Sequence, residues 1–197
     1  MALLASSRPL PGRRSLLALA LCLLALVSFV EPGAALAEPS SEYQVKAAFL
    51  FNFAKFVKWP ENVVPERSTA FTVCVLGDDL AGPAVEETIA GKTLRDKRIV
   101  VKRVAGFETA RNCQILFVSG SQGAEPAKTL RGLDGASVLT VGEADQFAER
   151  GGIINFKTED NKIRFEINPD AAKRANLEVS SQLLKLAIIV RDRTPQD

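Results

Sequence analysis

The stretch Phe71-Thr72-Val73-Cys74-Val75-Leu76-Gly77-Asp78-Asp79 decides the fold class. Six apolar and β-branched residues in a row, ended by a glycine turn, spell a strand buried on both faces. Gly82-Pro83 and a short helical pattern through Ile89 follow. Arg98 to Val104 then reads as a second strand, and Gln114 to Val118 as a third, more apolar one. Ser119-Gly120-Ser121 leads to a helix over about 124–133, then a strand over 137–141 and a short helix near Asp145 to Arg150. Ile153 to Lys157 and Lys162 to Ile167 flank the polar turn Thr158-Glu159-Asp160-Asn161 and form a hairpin. Asn168-Pro169 supplies an N-cap and a first-turn proline for a helix to about Asn176. A last helix is expected from Ser180 to Val190. Strands alternating with helices imply one Rossmann-like, three-layer α/β domain. Its sheet is mainly parallel, with a C-terminal antiparallel hairpin. The loops at Gly77-Asp78-Asp79 and Ser119-Gly120-Ser121 follow strand carboxyl ends, the edge where open α/β sheets take ligands.

Upstream, Ser41 to Gln44 has a capping-box spelling and opens a helix that Pro60 stops near Trp59. Val45, Phe49, Leu50, Phe53, Phe56 and Val57 make one apolar face. Ala47, Phe51 and Ala54 widen it, leaving Lys46, Lys55 and Lys58 as the polar remainder. Such a helix is buried on more than one side. Its phenylalanines point in too many directions for one sheet face, so a homodimer or partner interface is expected there.

The first 37 residues read as a cleaved export signal. Arg13 and Arg14 are followed by the apolar run Leu16 to Val30 and then Ala35-Leu36-Ala37. A run of about 15 residues falls short of the roughly 20 that span a bilayer. The mature domain is therefore 38–197, placed outside the cytoplasm. Of 25 basic and 23 acidic residues, Arg8, Arg13, Arg14 and Glu31 leave with the leader, so the mature domain is neutral. A neutral domain without a long basic run argues against nucleic acid as a partner. The chain has no histidine, which excludes Ser-His-Asp and Cys-His catalysis and nearly all catalytic zinc sites. The expectation is a non-enzyme without cofactor or metal. Gly91-Lys92-Thr93 is not a P-loop, because Glu86 stands where that pattern needs glycine. Cys22 leaves with the leader, so Cys74 and Cys113 remain. An even pair in an oxidising compartment reads first as a disulfide; two buried, unpaired thiols are the other arrangement.

Several blocks together resemble the YfiR-like periplasmic proteins. They are Tyr43 to Phe56 followed by Trp59-Pro60, Val75 to Asp79, Cys113 to Ser119, Val138 to Gly142, Gly151 to Ile154, Ile163 to Asn168 and Ser180 to Ala187. The resemblance spans nearly the whole mature chain in order. It implies a dimeric, redox-sensitive, non-enzymatic regulator. Such a protein represses an inner-membrane diguanylate cyclase of the YfiN type through its periplasmic sensor domain, limiting cyclic-di-GMP and biofilm formation. Some members carry a second cysteine pair near the Gly-Gly segment; this chain keeps only Cys74 and Cys113. Phe165, Glu166 and Asn168 near the hairpin, Ser181 and Lys185 on the final helix, and Trp59 are the partner-interface candidates. Helix caps and a surface ion pair of Glu166 are the plainer roles for the polar ones. The alternative function is a small-ligand sensor or binding module for another membrane signalling protein, such as a histidine kinase. A hydrolase built on Asp78 and Asp79 is the weakest reading, since adjacent carboxylates are usually a solvated turn.

Overall fold

The computed structural model describes residues 39–64, 68–77, 80–120 and 126–193. The expected leader, 1–37, lies outside them, as do Asp78 and Asp79. Strand β2 (Ala70–Leu76) sits centrally in an eight-stranded sheet. It pairs in parallel with β4 (Lys97–Arg103) on one side and with β5 (Ile115–Val118) on the other. β6 (Leu139–Gly142) and β7 (Ile154–Glu159) continue the parallel run beyond β5. β8 (Lys162–Ile167) returns antiparallel to β7, and β10 (Ile188–Ile189) lies parallel to β8 at the far edge. The full order is β10-β8-β7-β6-β5-β2-β4-β3, with β3 (Thr93–Leu94) antiparallel to β4. A separate two-stranded ribbon pairs β1 (Val57–Lys58) with β9 (Glu178–Val179).

Three layers follow from strand alternation. Phe71, Val73, Val75, Ile115 and Phe117 face the cluster containing Leu50, Phe53, Val85 and Ile89. These come from helices α1 (Pro39–Phe56) and α2 (Ala81–Ile89). Cys74, Leu76, Leu116 and Val118 face the opposite cluster, with Ala110 and Leu133. Helices α3 (Phe107–Ala110) and α4 (Pro126–Gly132) lie on that side. The expected α/β domain with a mainly parallel sheet is the observed one. Phe147 fills the space above Gly142 and Gly152, where an added Cβ would approach its ring within 2.4 and 2.3 Å.

Several local expectations are corrected. Ser41 lies inside α1, which starts at Pro39, so it does not cap that helix. α1 ends at Phe56 because Val57 and Lys58 are drawn into pairing with Val179 and Glu178. Residues 145–150 form turns instead of a helix, with Gln146 at φ 60° breaking the helical path. Both β3 and α3 were unforeseen. The β7–β8 turn is only two residues, Asp160 and Asn161, both at positive φ (49° and 58°). Aspartate and asparagine tolerate that region, and the primed turn matches strand twist. The expected last helix is a single turn, α6 (Ser181–Leu184), followed by β10. Ile188-Ile189-Val190 is β-branched, and pairing with the edge of β8 outweighs the helical spacing of the leucines. Helix α5 (Pro169–Arg174) precedes β9, and its Asn168 cap is as expected.

Candidate functional site

The chain runs from β2 outward to β4, then returns to β5 on the other side of β2. The topological switch point therefore lies between Leu76-Gly77 and Val118-Ser119-Gly120. Side chains of the protein itself occupy the neighbouring carboxyl edge. Glu143, just after β6, accepts hydrogen bonds from the Gly120 N–H, from the Tyr43 hydroxyl at 3.1 Å, and from the Lys46 ammonium. Lys46 also pairs with Glu42 at 2.6 Å, one helical turn away. Only 5% of Lys46 and 10% of the Glu143 side chain are exposed. This corrects the placement of Lys46 on the polar face of α1. Its Glu42 partner was legible from the four-residue spacing; Glu143, 97 residues away, was not. Chemically the cluster is a fully engaged charge network that clamps the first turns of α1 to the ends of β5 and β6.

The hairpin candidates lie inside the protein, which corrects their reading as a docking surface. Phe165 is 6% exposed, with ring centroids 5.1 Å from Phe53 and 5.8 Å from Phe49. Glu166, 7% exposed, accepts from the Asn155 amide at 3.0 Å and pairs with Lys157 at 3.4 Å. Asn168 is fully buried. Its Oδ1 accepts from the Asp170 and Ala171 N–H groups, both at 3.1 Å. Its amide donates to Ala148 O at 2.9 Å and Asp192 Oδ1 at 2.8 Å. Arg174 grips the same Asp192, and its hydrogen bond holds that carboxyl below the usual aspartate range despite partial burial. Replacing Glu166 by alanine is expected to cost about 1–3 kcal/mol, because the buried Asn155 donor loses its acceptor. Urea unfolding reads this; an unchanged midpoint would show Glu166 to be solvated.

Ser181 and Lys185 are exposed, and Trp59 is half-buried. The Trp59 indole donates to Gln114 O at 3.1 Å, and its ring meets Phe71 edge-on at 5.2 Å. Cys74 and Cys113, both buried, are joined in a disulfide with Cα atoms 6.0 Å apart. Cys113 lies two residues before β5, the next strand but one along the chain after the short β3 is set aside, and β5 pairs directly with the strand that holds Cys74. On α1, Phe53 is fully buried, and Phe49, Phe51 and Phe56 pack partly buried against the same cluster. Val45, 47% exposed, is the large apolar residue that α1 leaves to solvent among the described residues. No group of three or more Cys, Asp or Glu suited to a metal ion occurs among the described residues.

The sequence matches the YfiR/HmsC-like family over residues 43–188, from the first turns of α1 into β10. Among solved structures, the crystal structure of a conserved domain protein from Vibrio cholerae O1 biovar El Tor strain N16961 is similar, with a TM-score of 0.50 at 10% identity. The likeness covers 75% of this chain and 59% of that one, and at this identity it concerns the fold alone. No curated protein is similar enough to count as a relative. The family match runs through every layer of the domain, and the chain belongs to the YfiR/HmsC-like family.

Proposed function

We propose that the mature domain, 38–197 after loss of the leader, binds the periplasmic sensor domain of an inner-membrane diguanylate cyclase and represses it. Cyclic-di-GMP and biofilm formation are thereby limited. The observation that carries this reading is the family match over 43–188. The Cys74–Cys113 disulfide supports it, since such bonds persist in oxidising compartments. The reading includes a homodimer and no catalysis.

Deleting the gene is expected to raise cyclic-di-GMP and surface attachment, and returning the full chain to lower both. The domain expressed without residues 1–37 should fail to restore repression, because it stays on the wrong side of the bilayer from the sensor. Unchanged cyclic-di-GMP in the deletion strain rejects the cyclase assignment.

A further inference from the structure

Two cavities flank Arg95, in the turn of the β3–β4 hairpin. The larger, about 510 Å³, is lined by Lys55, Lys58, Arg95, Glu178 and Ser181 among others. The second, about 390 Å³, is lined by Trp59, Val64, Arg95 and Asp96 among others. Arg95 is the residue common to both. It sits at φ 47° in the two-residue β3–β4 turn. There its guanidinium donates to Val57 O at 3.1 Å and Lys55 O at 3.5 Å. Those carbonyls lie at and just beyond the end of α1, so the exposed cation is held in place by backbone. A guanidinium has five N–H donors, and more remain for a ligand.

Among the described residues the larger groove carries three cations against one carboxylate. Glu178 lies 3.6 Å from Lys58, in a mostly exposed pair. Among the described residues Lys55 reaches the Asn52 amide oxygen, at 3.4 Å, and stands 4.2 Å over the Phe51 ring. Lys92 adds a fourth cation 5.4 Å from the same ring. The mature chain being neutral as a whole, this is a local concentration of positive charge. The second cavity is different: among the described residues Glu61 and Asp96 balance Arg95 and Lys97 there, and the Trp59 ring and Val64 supply apolar surface.

We infer that the two cavities form one docking groove for an extended segment of the protein partner. An acidic side chain of that segment meets Arg95, Lys55 and Lys58, and an apolar side chain beyond it rests on Trp59. Charge complementarity selects the acidic end. Arg95 lines both cavities and so sets them side by side, which suits an extended segment more than a single small anion. A second copy of this chain is disfavoured, since two such faces would bring their lysines together. The inference deepens the proposed function and rests on it.

The test is complementation of the deletion strain with the full chain carrying Lys55→Glu and Lys58→Glu together. Both are solvent-exposed, so the urea midpoint of the purified domain should stay close to wild type, shifted only by loss of the exposed Lys58–Glu178 pair. Half-repression is expected to require on the order of tenfold more protein, since each reversed charge faces an acidic segment. Arg95→Gln is the second variant, expected to weaken repression in the same direction. Full repression by the stable double variant, with wild type also repressing, overturns the groove and leaves the proposed function standing. Wild type that does not repress overturns both. Two further results would replace the peptide as occupant. One is a rise in melting temperature with millimolar inorganic phosphate that the double variant loses. The other is a change in the light-scattering mass of the double variant.

Discussion

Replacing Glu143 by alanine is expected to lower the unfolding free energy by up to about 3–5 kcal/mol, the cost of breaking a buried ion pair. Lys46 would keep only Glu42, whose side chain is 37% exposed. The Tyr43 hydroxyl and the Gly120 N–H would lose their acceptor in the same step. By contrast, breaking the exposed Lys58–Glu178 pair should change stability by less than about 1 kcal/mol. Urea denaturation with an unchanged m-value is the measurement. The double variant Lys46→Met, Glu143→Leu should recover most of the loss, because a well-packed apolar pair can replace a buried ion pair at little cost. A loss below about 1 kcal/mol for Glu143→Ala would mean that Lys46 swings out to water, and that the clamp between α1 and the sheet is weak.

The sheet was legible wherever both faces of a strand are covered. In β2 and β5 every residue is apolar or nearly so, and the structure sends alternate members to different helical layers. The Asn168-Pro169 cap was legible because it is local, a side chain bonding N–H groups two and three residues on. What escaped is non-local, and one error generated another. The run Leu183 to Ile188 has helical spacing, so β10 was hidden. Without β10, β8 reads as a half-exposed antiparallel strand, because Ile163, Phe165 and Ile167 alternate with Arg164 and Glu166. With Ile188 paired opposite Glu166, β8 becomes an interior strand. Glu166 then needs the partners it finds in Asn155 and Lys157. The Lys46–Glu143 contact was equally invisible, because a lysine among helix surface positions gives no sign of which distant strand end will cover it. At the Arg95 groove, Trp59 and Ser181 were identified as candidates, but their connection through Arg95 depends on the unforeseen β3–β4 turn.

Removing the disulfide is the other large effect. Cys74 and Cys113 are 39 residues apart in sequence. Closing a loop of that length restricts the unfolded chain by about 4 kcal/mol on the chain-entropy model. Replacing both cysteines by alanine should therefore lower stability by about 2–5 kcal/mol. The lower part of that range applies if Leu116, Leu133 and Phe147 close around the lost sulfurs. These three belong to the cluster that surrounds both cysteines. Their burial makes a second, kinetic expectation. Cys74 is fully buried and Cys113 3% exposed, and thiol–disulfide exchange needs the attacking thiolate to reach a sulfur atom. Native protein in dithiothreitol should thus stay oxidised until it unfolds, and its reduction rate should follow the unfolding rate as urea is added. Alkylation and mass spectrometry read both quantities. Prompt labelling of two thiols in native protein without urea would show that the bond opens from the folded state. The covering formed by Ala110, Leu133 and Phe147 would then be loose enough to admit reductant.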